Sequence, residues 1–333
     1  MGDDRFLGGT ARLNRRTALA LMAGALAAPS IARADKYPIR PVRFIAHWSA
    51  GGATDTLARI YCQKVGEIAG QQFIVENRLG GGGLIGADGI AKAEPDGYTV
   101  GLGSITTNSV PRLLYSKMAF DPAKDFTFIG GLWKLPNIAV VPKSLGVKTM
   151  PELIALLKKN PNKYFFGSSG AGTTTHLAGE MFKQLAGVEI DHVPFRGGAP
   201  AVTAMLGGQI HLYFDNIPGA LPLVQSGELI GLGITAETRD PNLPDLPALN
   251  EFVPGFDITS WCCLCGPPKL PASVVEPLTT WTNQALDDPA LKKRYAELGA
   301  TAWKPTQEEL IAFRDAEEKK FTPIIEKMGI KLN

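Results

Sequence analysis

Phe44-Ile-Ala-His-Trp-Ser-Ala-Gly-Gly-Ala-Thr-Asp-Thr-Leu-Ala-Arg59 is the stretch that decides the fold. Val42 to His47 reads as a short buried strand, and Ser49 to Ala53 are too small to pack as core. Thr54 then opens an apolar repeat at Leu57, Tyr61, Val65 and Ile68 with helical spacing. The order is strand, small-residue loop, helix. The first backbone N–H groups of such a helix lack intrahelical partners, and its aligned peptide dipoles add partial positive charge, so an anion can settle on the loop. Gly51 and Gly52 let that anion approach the backbone closely. Helix–sheet packing alone also accounts for many small-residue turns. Binding is favoured here because the chain builds a second loop of the same kind.

That second loop is Phe165-Phe-Gly-Ser-Ser-Gly-Ala-Gly-Thr-Thr-Thr175, followed by a helix carrying Leu177, Met181 and Leu185. Phe73 to Glu76 forms a strand that leads into Arg78 and a glycine run. In the same way His192 to Phe195 leads into Arg196-Gly-Gly198. The interval from Gly52 to Arg78 nearly equals that from Gly170 to Arg196. Two halves built on one pattern imply two similar βαβ domains, each presenting a loop.

Several motifs follow one another in an order that resembles the Bug family, the extracytoplasmic solute receptors of tripartite tricarboxylate transporters. They are Tyr37-Pro-Ile-Arg-Pro-Val-Arg43, Gly51-Gly-Ala-Thr-Asp55, Val75-Glu-Asn-Arg78 with the glycines at 80 to 83, and Pro95-Asp-Gly-Tyr-Thr99. Val193-Pro-Phe-Arg-Gly197, Gly207-Gly-Gln209 and the segment from Trp261 onward continue the series. The likeness covers nearly everything after residue 35. It implies an α/β chain with a two-lobe periplasmic binding protein-like II (Venus flytrap) fold, lobe 1 being residues 35–133 plus 256–333 and lobe 2 residues 134–255. It also implies a receptor without chemistry or cofactor of its own, expected to be monomeric. Such a receptor captures a small carboxylate by hinge closure and delivers it to transporter membrane subunits or, in some members, signals.

At 333 residues the length allows two domains, and 45% hydrophobic content with mean hydropathy near zero is that of a soluble globular protein. Met1 to Ala34 reads as an export signal: Arg15-Arg16, the apolar run Thr17 to Ala28, then the small-residue site Ala32-Arg-Ala34. The run is shorter than the roughly 20 apolar residues that a bilayer span requires. Arg15-Arg16 is a loose match to a twin-arginine signal, so the export route stays open, and the expected location is the periplasm. From 34 basic and 32 acidic residues, loss of five arginines and two aspartates with the signal leaves 29 against 30. No basic field for nucleic acid remains.

Enzyme signatures are missing. Gly81-x-Gly83-x-x-Gly86 formally matches a dinucleotide motif, but it does not follow the first strand of the unit, and Thr106-Thr107 stand where a ribose-binding acid belongs. His47, His176, His192 and His211 lack metal-ligand spacing. No Gly-x-Ser-x-Gly elbow exists, although a triad dispersed along the chain, as in a periplasmic hydrolase, is not visible to sequence. Cys262 and Cys263 point to opposite faces of one strand, and all four cysteines, Cys62 and Cys265 included, read as reduced and structural.

The candidate ligand-binding residues follow from the two loops. On the first they are Ala50, Gly51, Gly52 and Ala53, with His47, Trp48, Ser49 and Asp55 beside them. On the second they are Ser168, Ser169, Gly172 and Thr173, offering hydroxyls and N–H groups. Thr107 and Asn108, in a polar loop read over Ser104 to Asn108, join Gly197 and Gly198 as walls. Arg196 is either a carboxylate partner or, like its counterpart Arg78, a fold-stabilising residue. Asp215, ending the strand Leu212 to Phe214, is either a selectivity filter facing the cleft or a cap of the next helix. Where the family usually places proline before the paired glycines, this chain has His47-Trp48-Ser49-Ala50. The change points either to an aromatic or otherwise flat carboxylate stacked on Trp48, with a His47 hydrogen bond titrating near its ordinary value, or to a Trp48 that packs under the loop as core with its indole N–H on a carbonyl. Phe126 to Leu132 and Ile138 to Val141 read as two strands flanking Pro136, a crossing between domains.

Overall fold

The opening stretch folds as its pattern requires. Strand β1 (Val42–Ala46) runs into a small-residue loop and then helix α1 (Ala53–Ala69), which stops at Gly70, a left-handed residue with φ 70° whose N–H bonds Gly66 O. Leu57, Tyr61 and Val65 are fully buried on one face of α1, each worth about 1.5–3 kcal/mol of apolar burial. The computed structural model describes residues 37–240, 243–329, 331 and 332, and these belong to one compact unit. The export segment read at residues 1–34 lies outside the described residues.

In chain order there follow β2 (Phe73–Asn77), α2 (Leu84–Ala91), β3 (Thr99–Ser104), α3 (Pro111–Leu114) and β4 (Thr127–Pro142). Next come α4 (Met150–Lys159), β5 (Phe165–Ser168), α5 (Thr174–Ala186), β6 (Asp191–Pro194), α6 (Gly198–Leu206), β7 (Leu212–Asn216), α7 (Ile217–Gln225) and β8 (Leu229–Ile234). The chain closes with β9 (Thr259–Gly266), α8 (Ala272–Asp287), α9 (Pro289–Glu297), β10 (Thr301–Ala302) and α10 (Gln307–Met328). Thr149 and Thr306 cap α4 and α10 by accepting the N–H of Glu152 and Glu309, as their spacing foretells.

The strand order is β2-β1-β3-β9-β4-β7-β5-β6, with β8 and β10 also on β4. β1 lies between β2 and β3, parallel to both, and β5 lies between β6 and β7, again parallel to both. The repeat seen in the sequence is therefore a repeat of topology, and the loops after β1 and β5 occupy equivalent places. Strand C-termini of this kind are where open α/β sheets receive ligands.

Two expectations change. Pro136 does not separate two strands: β4 runs unbroken from Thr127 to Pro142. Pro136 is the last residue paired with β9, opposite Thr259, and pairing with β7 begins at Asn137. A residue without N–H thus sits where the strand changes partners. Asn137 then joins the elements around it, its N–H donating to Thr235 Oγ1 (2.7 Å) and its Nδ2 to Phe214 O (2.7 Å). Ser104 to Asn108 is not a loop either. It winds into one wide turn over Ile105–Ser109 that is buried throughout.

All four cysteines are free and buried, with Cys262 in one apolar cluster and Cys263 and Cys265 in another, on opposite faces of β9. Burial pushes their thiols up, Cys263 to about 12, so thiolate chemistry is suppressed.

Candidate ligand-binding site

Two adjoining cavities open where the loops meet. The first, about 340 Å³, is lined by Trp48, Ser49, Gly51, Gly52, Ala53, Thr54 and Ser169, and on its far side by Gly198, Ala199, Val202, Thr203 and Asp215 to Gly219 except Ile217. The second, about 410 Å³, lies beyond Ser49 and is lined by His47, Trp48, Leu79 to Gly83, Ser169, Gly170 and Phe195 to Gly197. Trp48, Ser49 and Ser169 face both.

Three helices start at the wall of the first cavity: α1, α6 and α7. None has a side-chain cap on its first N–H groups. Their dipoles point partial positive charge inward, so the cavity is built for negative charge without any basic side chain.

The first loop is held in shape by its own carboxylate. Asp55 accepts from Gly51 N (2.9 Å), Arg59 Nε (2.9 Å) and Asn77 Nδ2 (2.8 Å), and Asn77 Nδ2 also donates to Trp48 O (2.9 Å). Burial alone raises the Asp55 carboxyl, but Arg59, the Gly51 N–H and Asn77 outweigh it and hold it below its ordinary value. Asp55 is therefore a support of the loop and does not line either cavity. Asn77, at the end of β2, is a partner that sequence reading missed; its only signal is its place in Val75-Glu-Asn-Arg78.

The second loop uses most of its polar groups internally. Ser168 Oγ and His192 Nε2 are 2.6 Å apart, and Gly170 N donates to Ser168 Oγ. Gly172 N donates to His176 Nδ1 (3.1 Å), and Thr173 Oγ1 to Gly170 O (2.6 Å). The His176 and His192 rings stack at 4.0 Å, and burial drives both down, to about 4 and about 3. Of the four residues expected here, Ser169 alone faces the cavities; Ser168, Gly172 and Thr173 are consumed in shaping the loop.

Thr107 and Asn108 are likewise not walls. Both are fully buried; Ser104 N donates to Thr107 Oγ1 and Asn108 Oδ1, and Asn108 Nδ2 donates to Pro122 O. Ala50 is exposed on the first loop and lines neither cavity. His47 does line the second, but its ring is buried against Gly83 and Gly86, and burial lowers it to about 4. The expected titration near its ordinary value is thus displaced downward. Gly86 is explained by the same contact: a Cβ there would lie 2.7 Å from His47 Nδ1.

Gly51, Gly52, Ala53 and Gly198 line the first cavity and Gly197 the second. The two arginines part company. Arg78 Nε pairs with Glu76 (2.6 Å) and its guanidinium packs over Gly89, whereas Arg196 lies on the wall of the second cavity. Asp215 is buried at the first cavity. Its Oδ1 accepts the N–H of Asn216 (2.9 Å), while Oδ2 has no partner. The N-cap position of α7 falls on Asn216, whose side chain makes no cap bond, so Asp215 does not cap the helix. Burial pushes the Asp215 carboxyl up to about 7 even with the Tyr213 hydroxyl and the Asn216 N–H acting to lower it.

Parallel βαβ units arranged about a shared strand, with a cleft at their strand ends and helix starts turned into it, define an α/β solute-binding protein. Residues 57–330 match the model of the tripartite tricarboxylate transporter family receptor, and the chain belongs to that family. It is 33% identical over 327 residues to a protein of Pseudomonas sp. strain P51, described as the UPF0065 protein in the tcbD-tcbE intergenic region, covering 97% of each chain. Among solved structures it is similar to R. palustris Rpa4515 with adipate (TM-score 0.86, 34% identity, 89% of this chain and 100% of that one). It is also similar to the periplasmic binding protein BugD (TM-score 0.85, 31% identity, 89% and 100%). Among the described residues no helix is long and apolar enough to cross a membrane.

Proposed function

We propose that this protein is an extracytoplasmic receptor that captures a small carboxylate in the first cavity and delivers it to the membrane subunits of a tripartite tricarboxylate-type transporter. The observation that carries the reading is the meeting of three uncapped helix starts at a cavity without a basic side chain. Backbone N–H groups hold a carboxylate there at low reorganisation cost. The adipate bound by the R. palustris relative supports the same ligand class.

In this reading residues 35–133 plus 256–333 and residues 134–255 are the two lobes, and the ligand bridges the loops after β1 and β5 and stabilises their approach. The receptor performs no chemistry. Ser168, 2.6 Å from His192 Nε2, is fully buried and accepts the Gly170 N–H, which supports a role for the pair in shaping the loop. Trp48, half-buried and facing both cavities, supports a ligand with a flat or aromatic body, since stacking adds about 0.5–1.5 kcal/mol beyond area burial.

Native mass spectrometry of protein purified without refolding, followed by a thermal-shift screen of benzoate, pyridine-carboxylates, malate, adipate and citrate, tests both levels. Stabilisation by at least one acid supports the receptor, and stabilisation by none sinks it. The flat-ligand reading fails if aliphatic acids alone stabilise the protein and Trp48→Ala leaves their affinity unaltered.

A further inference from the structure

The first cavity holds one ionisable side chain, and it is an acid. Asp215 is 3% exposed, its Oδ2 is unpartnered, and Gly219 leaves the room for it, since a Cβ there would lie 2.3 Å from that oxygen. The elements packed around it bring no compensating charge. α1 presents Gly52 to Thr54, its Asp55 being turned to Arg59 and Asn77; α6 presents Gly198, Ala199 and Thr203; α7 presents Asn216 and Pro218. On its own strand, Tyr213 is a neutral phenol held far above its ordinary value by burial and by the Asp215 carboxyl beside it, on whose Oδ1 side its hydroxyl lies as a donor, leaving Oδ2 free. A carboxylate entering this cavity meets a second carboxyl group with no cation between them, and two such groups in one buried site cannot both ionise.

We propose that Asp215 binds the ligand as a neutral carboxylic acid, donating the proton on Oδ2 to a carboxylate oxygen, so that capture is coupled to uptake of one proton from solvent. The inference rests on the receptor reading above. No covalent bond changes: an ionised Asp215 takes a proton from water, and the O–H then bridges to the ligand oxygen. The alternative, an ionised Asp215 holding a ligand ammonium, places a cation among three helix starts that repel it. The raised affinity of the carboxyl for its proton agrees with the neutral form.

Calorimetric titration of the full-length protein with adipate and with benzoate, from about pH 6.5 to about pH 8.5 in two buffers of different ionisation enthalpy, tests this. The dissociation constant is expected to rise about tenfold per pH unit once Asp215 is ionised in the free protein, with close to one proton taken up on binding. Asp215→Asn, which keeps a donor at the same place, retains binding and loses the pH dependence; Asp215→Ala weakens binding throughout. A flat pH profile without proton uptake overturns the proposal while leaving the receptor intact. Affinity that strengthens as pH rises overturns it in favour of a cationic ligand group. Absence of binding by either acid at every pH, together with a blank thermal-shift screen, overturns the receptor reading and this inference with it.

Discussion

Ser49 and Gly197 meet across the cleft so closely that a Cβ on Gly197 would lie 2.5 Å from Ser49 Oγ. One residue belongs to the loop after β1 and the other directly precedes α6. Gly197 has φ 118°, a conformation open to glycine, and its N–H donates to Ser169 O. A second contact is nearly as tight: a Cβ on Gly82 would lie 2.8 Å from Ala171 O. At these two points the loops touch through backbone and small side chains, with a cavity on either side of Ser49.

Gly197→Ala is expected to force this contact apart. Backbone strain of about 1–3 kcal/mol lowers the melting temperature, and affinity for the ligand drops at least about tenfold. Adding Ser49→Gly relieves the clash but not the strained φ. The double variant therefore regains affinity while staying less stable, a split read by calorimetry and thermal melts.

Asp55→Ala removes three hydrogen bonds from the first loop at once. The expected loss is about 1–3 kcal/mol of stability, together with weaker binding as Gly51 and Gly52 lose their fixed geometry. The sign with pH follows from a folded value below the ordinary one. The contribution is present above the ordinary carboxyl range and is lost as pH falls through the lower folded value. Urea unfolding of wild type and variant should differ at neutral pH and converge in strong acid.

The sequence made the strand–loop–helix repeat legible because it is local: alternation, small residues and helical spacing sit within a dozen positions of one another. It placed Gly51, Gly52, Ala53, Gly197 and Gly198 at the cleft for the same reason. It missed Asn77, whose amide joins Trp48 O to Asp55, because that contact spans 29 and 22 residues. It could not show that Thr107, Asn108, Ser168 and Thr173 hydrogen-bond within the fold. Polar residues in a turn look available to a ligand until the structure shows the backbone groups that they already satisfy. The glycines at 80 to 83 carry the family resemblance in the sequence without a place at the site, yet they line the second cavity.

Buried histidines add to the acid sensitivity of the fold. His47, His176 and His192 are held near 4, 4 and 3 against an ordinary value of about 6.5. The unfolded chain therefore binds protons before the folded one does. Stability is full above about pH 6.5 and falls as pH drops toward the folded values, by up to about 1.4 kcal/mol per pH unit for each histidine. His176→Gln, whose amide can still accept the Gly172 N–H, should flatten the slope by about one proton. An unchanged slope in urea titrations between about pH 6.5 and pH 4.5 would contradict this assignment.

Arg78 and Arg196 occupy matching places in the two halves but differ in company. Among the described arginines, Arg40, Arg43, Arg59, Arg78, Arg112, Arg239, Arg294 and Arg314 each have a carboxylate within ion-pair reach, and Arg196 has none. Arg196 lies on the wall of the second cavity, beside Gly80 to Gly83, whose successive positive φ angles can turn backbone N–H groups to one side. A ligand anchored in the first cavity and carrying a second acidic group would meet this guanidinium past Ser49. Arg196→Gln is expected to leave the melting temperature unchanged and to weaken binding of a dicarboxylate such as adipate about tenfold, the effect of one partly exposed charge-assisted contact. Binding of a monocarboxylate should change by less than about twofold, since no charge lies within its reach. Arg78→Gln is expected to do the opposite, costing about 1 kcal/mol of stability through its Glu76 pair and its packing over Gly89 while leaving the ratio of dicarboxylate to monocarboxylate affinity as it was. Parallel melts and titrations of the two variants decide. If Arg196→Gln destabilises the protein as Arg78→Gln does, without altering that ratio, both arginines serve the fold and the second cavity takes no acidic group.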